Sequence, residues 1–238
     1  MSDNRPKLLL AESPYTCVQG EGKYMGVPHI LVRMTGCPLR CSWCDTPYAS
    51  WVPENIKYSW DDLEDFTNDN LHLSHVMITG GEPTANPELL KELCYYFNHR
   101  GFHITIETAG YKFVETVADF ISLSPKFKSS APTETPFVYI AAKHEKARTN
   151  YEDMKKLIKY HNDYQVKVVI CSRDDWDETK HIKLILNVNS RKIWCMPEGR
   201  TDEELQENRQ MVIETCIEES YNYSDRLQVV AYGDKRGV

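Results

Sequence analysis

Three cysteines fall within one short stretch, Cys37-Pro-Leu-Arg-Cys41-Ser-Trp-Cys44, while Cys17, Cys94, Cys171, Cys195 and Cys216 are scattered. Thiolates at C-x3-C-x2-C spacing can hold a soft metal. Structural zinc normally takes four ligands, often as paired C-x2-C knuckles, and no second pair exists here. A disulfide would consume two of the three thiols and needs an oxidising compartment. Three thiolates suit three irons of a [4Fe–4S] cluster and leave the fourth iron open, as in a catalytic centre rather than a finished structural one. Zinc and plain thiols stay open as alternatives. Of the five scattered cysteines, four have apolar neighbours and are expected to be small buried hydrophobes.

A second group lies around the triplet. Gln19-Gly20-Glu21-Gly22 precedes it, followed by Gly26, Pro28 and Arg33. An amide and a carboxylate read the donor and acceptor edges of a flat, nitrogen-rich heterocycle, and a guanidinium grips a carboxylate at two points. The plainer reading is a glycine turn, with Arg33 paired to a surface acid.

These residues need elements to position them. Residues 28–35 and 76–79 are short, β-branched runs ended by glycine, as strands should be. Ser59 precedes WDDLEDF, an N-cap with acidic first-turn residues, and 87–99 carry apolar residues at helical spacing before Gly101. Further strands are expected at 102–107, 119–123, 164–171 and 191–195, with a closing strand at 226–232. Helices are expected at 150–161, 174–186 and 201–221, with a weak one at 111–116. Residues 127–150 read as a long loop or lid inserted in one domain spanning 1–238, with a short strand near 137–140. Repeated strand–helix–strand units give an α/β fold whose parallel sheet is covered by helices. The units are too few for a complete eightfold barrel, so an incomplete parallel β/α barrel is expected. GCPLRC, GGEP, ETAG and SPK each fall just after a strand, where ligands gather in such folds.

Composition narrows the partners. The chain has 238 residues, 41% of them hydrophobic and 26% charged, which argues against wholesale disorder and a disulfide-stapled miniprotein. No apolar run approaches the roughly 20 residues that span a bilayer, and the three leucines at 8–10 are too short for a secretory signal. A soluble, cytoplasmic protein is expected. A net charge of −7 disfavours broad binding to nucleic acid or an anionic membrane, and Lys155, Lys156 and Lys159 read as a solvated helix face.

C-x3-C-x2-C followed by GGEP after the next strand resembles the signature of the radical S-adenosylmethionine (SAM) superfamily. VQGEG, VRMTGCPLRCSWCDTPYA, ITGGEPT, IETAG, SLSPK and IWCMPEG run in order from about Cys17 to Gly199. Together they resemble the 7-carboxy-7-deazaguanine synthase family of queuosine and 7-deazapurine biosynthesis. The resemblance implies a lyase that contracts 6-carboxy-5,6,7,8-tetrahydropterin to 7-carboxy-7-deazaguanine with loss of ammonia, using a [4Fe–4S] cluster, SAM and Mg2+. An adenosyl radical would remove the C6 hydrogen, and the ring-contracted radical would take a hydrogen atom back from 5′-deoxyadenosine before ammonia is lost. Cys37, Cys41 and Cys44 would ligate the cluster and Thr46 the Mg2+. Trp43, Cys44, Asp45, Gly80, Gly81, Glu82, Ser124, Pro125, Lys126, Met196, Pro197, Glu198 and Gly199 would border SAM. Val18, Gln19, Gly20, Glu21, Arg33 and Thr79 would bind the pterin, with Glu107 pointing to the same region. A flavodoxin- or ferredoxin-type reductant and a homodimer are also implied, and no direct contact with nucleic acid or membrane.

Two stretches limit the resemblance. Residues 127–150 are not aligned with it, and in the tail, 232–238, Lys235 and Arg236 could reach a substrate carboxylate, although a frayed, solvated tail is expected. A glycyl-radical activating enzyme shares the triplet and GGEP but acts on a protein and has no evident need of QGEG or of CDT with SPK. An iron–sulfur electron carrier or zinc-stabilised module has no reason to set four further motifs at strand ends.

Overall fold

The computed structural model describes residues 5–133 and 138–238. Eight strands form one sheet in sequence order: β1 (Tyr15–Val18), β2 (Pro28–Met34), β3 (His75–Gly80), β4 (His103–Thr108), β5 (Phe120–Leu123), β6 (Tyr164–Ile170), β7 (Ile193–Pro197) and β8 (Asn222–Tyr223). β1 pairs antiparallel with β2, and every later pair is parallel. The β-branched and apolar runs therefore form the parallel sheet that their burial on both faces suits. The register sets Arg33 beside Thr79 and Glu107 beside Ser122, so functional side chains share one level across neighbouring strands.

Helices supply every parallel crossover but the one from β4 to β5: α1 (Trp60–Asp69), α2 (Pro87–Asn98), α3 (Val138–Arg148), α4 (Tyr151–Tyr160), α5 (Asp175–Leu186) and α6 (Asp202–Glu219), with α7 (Leu227–Tyr232) after β8. Ser59 caps α1 in a reciprocal box with Asp62, and Asn86 caps α2 with Pro87 in its first turn. Leu89, Leu90, Leu93 and Phe97 of α2 bury fully against Ile78, Ile104 and Ile106 of the sheet. Lys156 and Lys159 are exposed and Lys155 half-exposed, as a solvated face requires. No helix among the described residues is long and apolar enough to cross a membrane.

Four expectations change. β1 was not foreseen. Residues 111–116 form no helix: Val114 and Thr116 are buried between exposed Glu115 and Val117, a period-two pattern that belongs to extended chain. The described residues within 127–150 are mostly helical rather than loop, since VYIAAKHEKAR is rich in helix formers; the expected strand near 137–140 is helix from Val138 onward, and residues 134–137 lie outside the described residues. The closing run 226–232 is helical, not a strand. Only Val229 of α7 is buried, and the short β8 closes the sheet instead. Among the scattered cysteines, Cys94, Cys195 and Cys216 are buried, while Cys17 and Cys171 are partly exposed.

Candidate active site

A cavity of about 230 Å³ is lined from the strand ends and from inward-facing strand positions. The loop after β2 contributes Cys37, Cys41, Trp43, Cys44, Asp45 and Thr46; the end of β3 contributes Thr79, Gly80, Gly81 and Glu82; β5 leads into Ser124 and Lys126; β7 leads into Met196 and Glu198. Val18, Gln19, Gly20, Glu21 and Arg33 line the same cavity. Of the sequence-predicted residues, Pro125, Pro197 and Gly199 do not line it. The Gly199 carbonyl instead accepts a 2.5 Å hydrogen bond from Arg226 Nη1.

Local chemistry explains why GGE follows β3. A Cβ on Gly81 would sit 2.3 Å from the Gly36 carbonyl and 2.4 Å from that of Ala49, and one on Gly80 would sit 2.1 Å from the Met34 carbonyl. The glycines thus let the end of β3 press against the root of the cysteine loop, where Glu82 N–H donates to Gly36 O at 2.9 Å. Glu82 is buried and accepts from Thr84 N–H and Oγ1, Thr108 Oγ1 and Ala109 N–H at 2.5–3.0 Å, tying β3 to β4. Its carboxylate is therefore occupied, and what this segment offers a ligand is backbone.

The three thiols share the cavity wall without converging on one point: no group of three His, Cys, Asp or Glu among the described residues could hold a single metal ion. A group that spans several ångströms fits this donor set. Burial pushes the Cys37 thiol up, with Glu82 adding to the effect; burial also pushes Cys41 up to about 11, opposed by Lys126 and the Ser130 hydroxyl. Metal loading at these thiols must release protons. Trp43 Nε1 and Gln228 Oε1 are buried in the wall without a partner, polar atoms left for a ligand to meet. Lys126 Nζ donates to Ser124 Oγ at 2.7 Å and lies 5.8 Å from the Trp43 ring centre, near the cation–π limit. Thr46 precedes the 3-10 turn at Pro47–Ala49 and makes no capping bond with its side chain; its hydroxyl lines the cavity and lies 3.8 Å from Cys44 Sγ.

The same cavity carries a network of charges. Lys167, on β6, is 2% exposed and donates to Glu21 at 2.5 Å and to Glu107. Arg226 Nε donates to Glu21 at 3.1 Å while Nη2 donates to Asp45, and Gln228 Nε2 donates to Glu21 at 2.7 Å. Burial alone would raise the Glu21 pKa, but Lys167 and Arg226 hold it well below the usual carboxylate range. Burial works likewise to lower the Lys167 pKa, and Glu107 and Glu21 raise it above the ordinary lysine value. Arg33 pairs not with a surface acid but with buried Glu12, its Nε donating at 2.5 Å. The tail does not fray: Arg236 donates to Glu12, to the Ala11 carbonyl and to Glu54, stacks 3.6 Å from the Tyr48 ring centre, and brings Val238 to the cavity.

Sequence reasoning missed Glu12, Lys167, Arg226 and Gln228. A lone lysine inside the apolar run YQVKVVI was the one available signal, because a buried charge in a strand needs partners.

Known proteins are similar to this chain in sequence and fold. The model of the radical SAM superfamily matches residues 31–185. The 7-carboxy-7-deazaguanine synthase of Rhodopirellula baltica is 34% identical over 97% of this chain and 89% of that protein. That of Halobacterium salinarum is 33% identical over 96% and 92%. The crystal structure of QueE from Escherichia coli, 24% identical, superposes with a TM-score of 0.67 over 92% of this chain and 94% of that one, which shows the shared fold. On its motifs, fold and relatives, the chain belongs to the 7-carboxy-7-deazaguanine synthase family of the radical SAM superfamily.

Proposed function

We propose that this cavity contracts the ring of 6-carboxy-5,6,7,8-tetrahydropterin to 7-carboxy-7-deazaguanine with loss of ammonia. The observation that carries this reading is one cavity lined by two sets of groups. Three thiols with Gly80, Gly81, Glu82, Ser124 and Lys126 form one set, and Gln19, Glu21, Arg33 and Thr79 the other. Cys37, Cys41 and Cys44 would hold the [4Fe–4S] cluster. Trp43, Asp45, the backbone at Gly80–Gly81, Ser124, Lys126, Met196 and Glu198 would border SAM. The Thr46 hydroxyl, with substrate oxygens and water, would complete an oxygen shell for Mg2+. When bound, cluster and SAM supply reductive cleavage of SAM, one-electron chemistry outside the reach of these side chains.

The chain's own residues position and polarise. Glu21, kept ionised by Lys167 and Arg226, can only accept, so it reads a donor edge of the pterin. Arg33, oriented by Glu12, faces the carboxylate. Glu107, between Thr79 Oγ1 at 3.5 Å and Lys167, is the carboxylate placed to take or return a proton as ammonia leaves. Arg226 links the substrate wall at Glu21 to the SAM wall at Asp45. In this reading residues 1–238 act as one radical SAM unit, paired as a homodimer and served by a flavodoxin- or ferredoxin-type reductant.

Anaerobic equilibrium dialysis tests the substrate wall. The protein is expected to bind 6-carboxy- in preference to 6-methyl-tetrahydropterin, and Arg33→Lys to shrink that preference roughly tenfold by losing two-point recognition. Equal binding of the two pterins by the unaltered protein would contradict the reading.

A further inference from the structure

The segment around α3 packs on the cysteine loop. Ala147 of α3 joins Leu39 and Cys41 in a small apolar cluster, with Cys37 and Cys44 packed against it. One turn earlier, His144 is 0% exposed, as is Ser130 in the turn before α3. The Arg40 backbone N–H donates to His144 Nδ1 at 3.0 Å. A backbone N–H has no other role, so Nδ1 is the acceptor and the single proton of the neutral ring sits on Nε2. Nε2 lies 3.0 Å from Ser130 Oγ and donates to it, and Ser130 Oγ donates in turn to the Phe127 carbonyl at 2.5 Å. The Ser130 carbonyl then accepts the Ser42 N–H at 3.0 Å. The two amides flanking Cys41 are thus held by one connected chain that runs through His144.

We propose that α3 is a latch on the cysteine loop, and that His144, as its Nε2–H tautomer, is the positioning residue that fixes the Arg40 and Ser42 amides and with them the direction of Cys41. This rests on reading the loop as the seat of the cluster, but the latch itself is a property of the metal-free chain. Arg148 anchors the far end of α3, donating to Glu178 Oε1 at 3.0 Å and to Glu145, so the helix is fixed to α5 while His144 faces the loop. Acceptor geometry, not ring bulk, is what the loop requires of position 144.

Three measurements test this. A two-bond nitrogen–proton correlation spectrum of the metal-free protein is expected to find the His144 proton on Nε2; a proton on Nδ1 overturns the latch. In His144→Phe, which keeps bulk and removes the acceptor, amide exchange at Arg40 and Ser42 is expected to rise roughly 10- to 100-fold, with α2 and the central strands unchanged. His144→Asn, whose amide oxygen can replace Nδ1, is expected to restore protection at Arg40, and it serves alone if His144→Phe does not fold. After reconstitution, iron loss to a chelator is expected to follow the same order, fastest in His144→Phe. Uniformly faster exchange across the protein, or unaltered exchange at both amides, would overturn the proposal. Failure to bind iron with normal protection at Arg40 and Ser42 would instead count against the cluster reading and leave the latch standing.

Discussion

A lysine ammonium taken out of water keeps its proton only if carboxylates meet it, and Lys167 meets two, Glu21 and Glu107. Lys167→Met would leave those carboxylates facing one another in a buried wall. The variant is expected to lose roughly 3–5 kcal/mol of stability, read as a lower urea midpoint of the metal-free protein. A loss under about 1 kcal/mol would mean that the wall is wetter and looser than its geometry implies. At this scale the gathering of the cysteine triplet, Gln19, Glu21, Arg33, Ser124 and Lys126 at one cavity was legible, because such residues are unusual at those spacings and most lie near strand ends. Their supporting charges were not. Lys167 and Arg226 lie 146 and 205 residues from Glu21 in sequence, a pairing that only the folded chain creates. Glu12 escaped notice for the same reason, its partners being 21, 36 and 224 residues away.

Elements hold these side chains by close backbone contact. Gly81→Ala would push a methyl group into the Gly36 and Ala49 carbonyls, neither of which can rotate away. The end of β3 should therefore part from the cysteine loop, with a cost of at least about 1–3 kcal/mol and weaker iron retention, measured by denaturation and iron content. Ser59→Ala, at the start of α1 and away from the cavity, should cost about 1 kcal/mol and leave iron retention unchanged. Equal iron loss in both variants would contradict a specific role for the glycine contact. Strongly periodic or capped elements, such as α1, α2 and α6, were legible because local chemistry decides them. The misread segments are those where tertiary contacts decide. Residues 111–116 follow the buried surface with alternate side chains, Thr116 lying 3.1 Å from His161 Nε2. Residues 226–232 are fixed at their start by the buried Arg226 and then wind as α7 despite their paired valines.

Across the whole molecule, buried histidines make stability depend on pH. Burial lowers the pKa of His29, His144 and His161, that of His144 to about 4, with Arg148 adding to the effect there. An unfolded chain binds these protons near 6.5, so the folded state falls behind as pH drops from about 6.5 towards 4, by roughly 3 kcal/mol at most for His144. The depressed Glu21 carboxyl acts in the same direction lower down: its contribution is present above about 4.3 and is lost as pH falls below that. The urea midpoint of the metal-free protein should thus fall steadily between about pH 7 and pH 4; a flat or rising midpoint would contradict neutral buried rings. At this scale the incomplete parallel barrel was legible from strand–helix alternation, whereas the docked tail, pinned through Arg236, was not. The central claim is that these walls enclose one reaction. It is tested by anaerobic incubation of the iron-loaded protein with SAM, dithionite, Mg2+ and 6-carboxytetrahydropterin, with products read by mass spectrometry. The account predicts 7-carboxy-7-deazaguanine from the unaltered protein and none from Cys41→Ala; SAM cleavage without that product, or equal product from Cys41→Ala, would contradict it.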